Sequence, residues 1–155
     1  MKKVVLYTDG ACSGNPGVGG YGGILIYGNV RREYSGGESE TTNNRMEVLA
    51  VIEGLKRLKY PCEVDVYSDS AYTVNAFLEG WIYGWRKNAW KKADGKAVSN
   101  QDLWQELLRL TSVHKVSFHK VDGQWQYHES VATWSGTGGS AEDYFVWPYF
   151  KHYVI

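Results

Sequence analysis

The chain has 155 residues and a mass of 17.5 kDa, which suits one domain of ordinary size. Hydrophobic residues make up 43% and charged residues 22%, which argues against a disordered chain, and no apolar run approaches the ~20 residues that span a bilayer. Basic and acidic side chains balance at 17 each, and two cysteines form a weak disulfide framework, so we expect a protein of the reducing cytoplasm.

Three strands are predicted at the start of the chain. The β-branched and aromatic runs that predict them are Val4–Thr8, Tyr21–Tyr27 and Arg31–Ser35. Gly28-Asn29 favours a hairpin turn between the last two, and Gly36-Gly37 is predicted to close the third strand.

A helix and a fourth strand are predicted next. Apolar residues recur with the helical period from Asn44 to Leu58, and Pro61 marks the end of that helix. Val64–Tyr67 then predicts a buried strand that stops just before Asp69.

Two more helices and a fifth strand complete the regular part of the chain. One helix is predicted at about Ala71–Leu78, and another contains Leu103–Leu110 and is capped by Asn100 or Asp102. Val113–Val121 predicts the last strand. The order βββαβααβ indicates an α/β protein of mixed α+β character, with a five-stranded mixed sheet flanked by helices.

Three acidic residues stand where strands end or helices begin. Each has a purely structural interpretation: Asp9 with Gly10 can form a turn, Glu47 has capping-box spacing from Asn44, and Asp69 can cap the following helix. Adjacent strand ends converge at one edge of an open sheet, however, so the three carboxylates can also meet there. Carboxylates gathered in this way repel one another unless a hard divalent cation binds them.

These acidic residues lie within longer motifs. Thr8–Gly17 is similar to the opening motif of type 1 ribonuclease H, Thr41–Glu47 resembles that family's second motif, and Ser68–Ser70 its third. The resemblance continues through Trp81–Trp85 and Asn100–Trp104 and covers residues 1 to about 121 in order. It implies a ribonuclease H-like fold over residues 1–121, in agreement with the sheet predicted above.

The resemblance also implies a reaction, hydrolysis of the RNA strand of an RNA–DNA hybrid by a two-metal-ion mechanism. Asp9 would bridge two Mg²⁺ ions, with Glu47 and Asp69 completing their coordination, and Mn²⁺ can take their place. The expected partner is the RNA–DNA hybrid. We expect a monomer with no obligate protein partner and no membrane association.

A set of residues near the carboxylates is implied to bind the hybrid. It comprises Gly10, Ala11, Cys12, Asn15, Thr42, Asn43 and Asn44. Backbone groups of the first three, with the Glu47 carboxylate, would touch the 2′-hydroxyls that distinguish RNA from DNA. Asn15 and Thr42 match positions that hold a DNA phosphate. The two neighbouring asparagines would contact the two strands, although helix capping is their alternative role.

Basic side chains are concentrated in residues 81–96. This segment has a single acidic residue, Asp94, and five basic ones: Arg86, Lys87, Lys91, Lys92 and Lys96. Such an excess suits a polyanion, and in the family this segment is the basic protrusion that grips the hybrid. The implied binding residues are Trp81, Trp85, Arg86, Lys87, Lys91 and Lys92. The alternative is a solvated helical face, and for the tryptophans we expect packing in the core to be the main role.

Residues 122–155 depart from the family and hold nine of the chain's 23 aromatic residues. The family follows its fifth strand with a Lys-Gly-His loop and a helix bearing a fourth carboxylate, whereas this chain has Asp122-Gly123-Gln124 and then Trp134 and Ser135 at the expected aspartate. One hypothesis for this departure is a shift of reading frame near codon 122. The rival hypothesis is a genuine terminus that has diverged from the family. No strong helix is predicted in this atypical segment.

The departure leaves three functional readings. The first is a ribonuclease H with reduced activity, because loss of one ligand weakens binding of the second ion. The second is a catalytically inactive module that binds hybrid or duplex. The third is a different nuclease or transferase on the same fold, which the Thr41–Glu47 match makes the weakest.

Overall fold

The structure is a computed structural model that describes residues 1–121, 123–128, 131–136 and 144–146. Five strands form the larger sheet: β1 Lys2–Cys12, β2 Gly17–Tyr27, β3 Val30–Thr41, β4 Cys62–Ser68 and β5 Lys115–Lys120. The helices are α1 Asn43–Lys56, α2 Ala71–Leu78, α3 Trp81–Lys87 and α4 Gln101–Val113. Three further strands are β6 Gly123–His128, β7 Val131–Gly136 and β8 Tyr144–Val146.

The larger sheet has the order β3-β2-β1-β4-β5. Strand β2 pairs antiparallel with β1 and with β3, whereas β4 pairs in parallel with β1 and with β5. The predicted five-stranded mixed sheet flanked by helices is therefore confirmed. Strands β6, β7 and β8 form a separate antiparallel sheet of their own.

The hairpin between β2 and β3 turns at the predicted residues. Tyr27 pairs with Val30, and Gly28 has a φ of 57°, the left-handed conformation that glycine adopts without steric cost. The prediction that Gly36-Gly37 closes β3 is wrong, because the strand continues to Thr41. A side chain at Gly36 would collide with the ring of Tyr21, so the absence of a side chain at Gly36 serves packing.

The helices cover one face of the sheet and form the main core with it. Leu6 of β1, Val66 of β4 and Leu55 of α1 are fully buried there, and Trp104 of α4 is buried beside them. Phe77 of α2 stacks on the core ring of Phe118 of β5, with 4.2 Å between the centroids. This packing fixes β1, β4 and α1 against one another, and these elements carry or precede the three acidic residues.

The last helix and strand differ slightly from the prediction. Val113 is the final residue of α4 and not the first of β5, which begins at Lys115. Helix α3 was expected only as part of a basic segment. Among the residues that the structure describes, no helix has the length and apolar character needed to cross a membrane.

Candidate active site

Three carboxylates from separate elements meet at the carboxyl end of the central strands. Asp9 belongs to β1 and is 7% exposed, Glu47 lies on α1, and Asp69 follows β4 directly. One carboxylate oxygen from each lies within 4.8 Å of the others. The group predicted from three distant positions in the sequence is thus assembled in space.

The sheet register brings two of these residues together. Tyr7 of β1 pairs with Tyr67 of β4, and the two rings stack at 5.2 Å. Asp9 lies two residues past Tyr7, and Asp69 lies two residues past Tyr67, so this register brings the two acids to the same level of the sheet. The parallel pairing of β1 and β4 therefore places both acids at one edge.

None of the three acids has the purely structural role that the sequence allowed. Asp9 lies inside β1, opposite Gly22, and not in a turn. Helix α1 is capped by Thr42, whose Oγ1 accepts a hydrogen bond from the N–H of Arg45 at 3.2 Å. Helix α2 is capped by the hydroxyl of Ser70. The carboxylates of Glu47 and Asp69 are therefore not used as helix caps.

Burial and mutual repulsion perturb these acids. Burial, together with the charges of Asp9 and Asp69, raises the pKa of Glu47 well above its ordinary value. Burial also raises the pKa of Asp69, which the nearby charge of Lys120 partly offsets. Within the described part of the chain, Glu47 Oε2 is buried with no hydrogen-bond partner. An oxygen-only donor set with one unsatisfied buried oxygen fits a hard divalent cation.

Two adjoining cavities open beside the carboxylates. The first, of about 370 Å³, is lined by Gly10, Ala11, Asn43, Asn44, Glu47, Asp69, Ser70, Ala71 and Tyr72. The second, of about 520 Å³, is lined by Asn15, Thr42, Asn43, Asn44, Tyr72, Ser99 and Asn100. The two share the asparagine pair and Tyr72, so together they form one polar trough that leads away from the acids.

Sequence reasoning missed Tyr72, Ser99 and Asn100 as lining residues. Asn100 was considered only as a helix cap, although it opens one of the motifs that carry the family resemblance. Cys12, in contrast, lines neither cavity. Its Sγ lies 3.3 Å from the carbonyl oxygens of Gly17 and Thr41, and its single S–H can donate to either of them.

The basic segment combines exposed cations with partly buried rings. Trp85 packs against core Trp104 with centroids 5.6 Å apart, as expected of a core residue, and Trp90 also packs on the core. Trp81 departs from that expectation, since it is 43% exposed. The exposed cations that the sequence proposed for substrate binding are Arg86, Lys87, Lys91 and Lys92.

Among its described residues, the segment after Val121 has no acidic side chain that could serve as a fourth carboxylate. Trp134 and Ser135 belong to strand β7, where the family pattern implies a helix. Asp122, Glu129, Glu142 and Asp143, the acidic residues of this segment, lie outside the described residues. The described part of this segment is built from strands, in agreement with the absence of a predicted helix.

Comparison with known proteins identifies the family. The model of the RNase H family matches residues 1–131. A ribonuclease H of Acetivibrio thermocellus is 62% identical over 123 residues, which are 79% of this chain and 84% of the relative. LC9-RNase H1, described as a type 1 RNase H with the type 2 active-site motif, is 30% identical with a TM-score of 0.69, over 84% of this chain and 65% of that one.

A third similarity concerns the fold alone. LC11-RNase H1, solved in complex with an RNA/DNA hybrid, is 22% identical with a TM-score of 0.55 and covers 76% of this chain and 85% of that one. The family match and the high identity to curated enzymes carry the assignment: this chain belongs to the ribonuclease H family, as a type 1 enzyme.

Proposed function

We propose that this protein hydrolyses the RNA strand of RNA–DNA hybrids with two Mg²⁺ ions, and that loss of the fourth carboxylate reduces its turnover. Membership of the family supports activity on such hybrids. The observation that carries the proposal is the convergence of Asp9, Glu47 and Asp69 within 4.8 Å, beside a polar trough. LC11-RNase H1, which has a similar fold, has been seen with an RNA/DNA hybrid.

Asp9, Glu47 and Asp69 would hold the cations. The chemistry that divalent ions supply when bound is activation of water and stabilisation of charge on phosphate oxygens. The chain's own contribution is a rigid set of ligands: Asp9 is fixed in the sheet, and its Oδ1 accepts a hydrogen bond from the N–H of Gly10 at 3.0 Å. Glu47 must be ionised to bind a cation, and its raised pKa makes this binding compete with a proton.

The trough would hold the sugar–phosphate backbone beside these acids. Asn43 and Asn44 are exposed on its floor at the first turn of α1, where unpaired N–H groups favour anions. Asn15, Thr42 and Asn100 line the part further from the acids and offer donors to a phosphate of the DNA strand. Recognition of 2′-hydroxyls from Gly10, Ala11 and the backbone of Cys12 would select the RNA strand for cleavage.

The test is cleavage of a hybrid with a labelled RNA strand, first in Mg²⁺ and then in Mn²⁺. Asp9→Asn is the blank, and Asp65→Asn is the matched control, because Asp65 lies on β4 and its carboxylate pairs with His119 at 2.8 Å. We expect RNA cleavage that is lost in Asp9→Asn, kept in Asp65→Asn, absent on double-stranded DNA, and stronger in Mn²⁺. Full turnover that saturates at ordinary millimolar Mg²⁺ would contradict the proposed impairment.

A second candidate function is hybrid binding without cleavage. It is favoured by the sequence after Val121, where Trp134 and Ser135 stand at the family's fourth aspartate. The same assay distinguishes the two, because a binding module would retain the hybrid with salt-dependent affinity but cut neither strand in either metal.

A further inference from the structure

Asn100 has an unusual conformation at the edge of the larger cavity. It occupies the cap position of α4 with a φ of 60°, in the left-handed region that asparagine tolerates better than most residues. An asparagine at this position ordinarily caps its own helix, yet this side chain makes no capping hydrogen bond. The side chain is therefore held by something other than α4.

Two other elements fix both ends of the Asn100 amide. Its Nδ2 donates to the hydroxyl of Tyr72 at 3.1 Å, and its Oδ1 accepts from Nη1 of Arg45 at 3.4 Å. Arg45 is in turn held by two hydrogen bonds to the carboxylate of Asp102, at 2.7 and 3.1 Å. Among the contacts between described residues, one amide hydrogen is left for a ligand in the cavity that Asn100 lines.

Tyr72 is anchored in the core. Its hydroxyl also accepts a hydrogen bond from Nε1 of Trp104 at 3.3 Å, and the two rings pack at 5.2 Å between centroids. Trp104 is fully buried, so the hydroxyl is a fixed acceptor at the wall of the trough. A hydroxyl can accept two hydrogen bonds, and Asn100 and Trp104 supply both donors.

We infer that Tyr72 is a positioning residue for substrate binding, which holds the Asn100 amide ready to donate to a phosphate oxygen of the hybrid. The inference rests on the proposed function, since it says how the Asn100 side chain of the trough is positioned before the hybrid binds. Without the hydroxyl, the Asn100 amide loses the partner that fixes its nitrogen. The amide must then be ordered when the hybrid binds, which costs binding free energy. The cost falls on affinity, because Asn100 lies in the cavity that is not lined by the acids.

The test is Tyr72→Phe in the full chain, alone and combined with Asn100→Ala. Hybrid affinity is measured in EDTA by fluorescence anisotropy, and kcat and KM are measured in the cleavage assay. We expect Kd and KM to rise about fivefold, the usual effect of losing one hydrogen bond, with kcat within about twofold of the unchanged protein. In the Asn100→Ala background, Tyr72→Phe should add nothing, because the two residues act through one contact.

Tyr60→Phe is the matched control, since Tyr60 is 64% exposed and lines neither cavity. Tyr72→Phe also removes an acceptor from Trp104, so a merely structural role would lower stability in both backgrounds without coupling to Asn100. Additive effects on Kd, or a loss confined to kcat, would overturn the inference. If the unchanged protein binds hybrid no better than double-stranded DNA, the proposed function itself fails, and the inference falls with it.

Discussion

A Cβ atom on Gly10 would lie 2.7 Å from the backbone nitrogen of Glu47, which means that strand β1 and helix α1 touch at this point. It would also lie 2.6 Å from the carbonyl carbon of Met46. Both obstructing groups are backbone, so neither can rotate away. Glycine at position 10 therefore sets the distance between the strand that carries Asp9 and the helix that carries Glu47.

Gly10→Ala should destabilise the protein by about 1–3 kcal/mol, as expected when an atom is forced into a packed interface. Urea unfolding measures the loss. Gly84→Ala is the matched control, because nothing lies within 4 Å of a Cβ built there and the residue is inside helix α3, where alanine is favoured by about 0.5–1 kcal/mol. Equal midpoints for Gly10→Ala and the unchanged protein would show that β1 and α1 can separate freely.

Glu47→Gln should raise the melting temperature in EDTA, because it removes a buried charge that Asp9 and Asp69 repel. The same change should diminish the stabilisation by added Mg²⁺, which reaches about 2.7 kcal/mol when the ligand is at 100 times its Kd. Thermal unfolding with and without Mg²⁺ measures both effects. Glu53→Gln is the control on the same helix: Glu53 pairs with surface Lys56 and Arg57, so the response to Mg²⁺ should persist in this variant.

His114 should make stability fall in mild acid. It is 5% exposed, its Nδ1 accepts the N–H of Cys62 at 3.1 Å, and burial lowers its pKa below the ordinary 6.5. The unfolded chain therefore takes up a proton at a higher pH than the folded chain. The stabilising contribution is complete above pH 6.5 and is lost as the pH falls from there through the folded-state pKa.

Urea midpoints across this pH range, for the unchanged protein and for His114→Gln, measure the effect. The variant cannot take up a proton at this position, so its midpoints should vary less with pH. An unaltered slope in His114→Gln would refute the assignment to His114.

Lys91 and Lys92 should contribute to hybrid affinity through charge. Both are exposed in a segment closed by a bridge between Lys91 and Ala97, and neither lines the two cavities of the trough. The slope of log K against log salt is negative, and each change to Gln should make it less steep by about 1 if each lysine contacts one phosphate. Anisotropy titrations at several salt concentrations measure it, with exposed Lys115→Gln as a control that should keep the full slope.

Much of the fold could be predicted from local patterns. Helix α2 was predicted with the bounds observed, because the apolar residues that indicate it are local signals, although its cap is Ser70 and not Asp69. Strand bounds were less certain. The pair Gly36-Gly37 indicated a strand end, yet β3 passes through it because Tyr21, on the neighbouring strand, fills the space above Gly36. A pattern within one segment does not contain that contact.

The sequence by itself determined the family, the mixed sheet and the three acids, because each motif is written in consecutive residues. Only the tertiary structure decided that Asp9, Glu47 and Asp69 lie within 4.8 Å, since this depends on the parallel register of β1 with β4. The tertiary structure also joined Tyr72 to Asn100, two residues from different helical regions. Side chains far apart in the chain become neighbours only through packing, and for that reason the site could be listed from the sequence but not assembled from it.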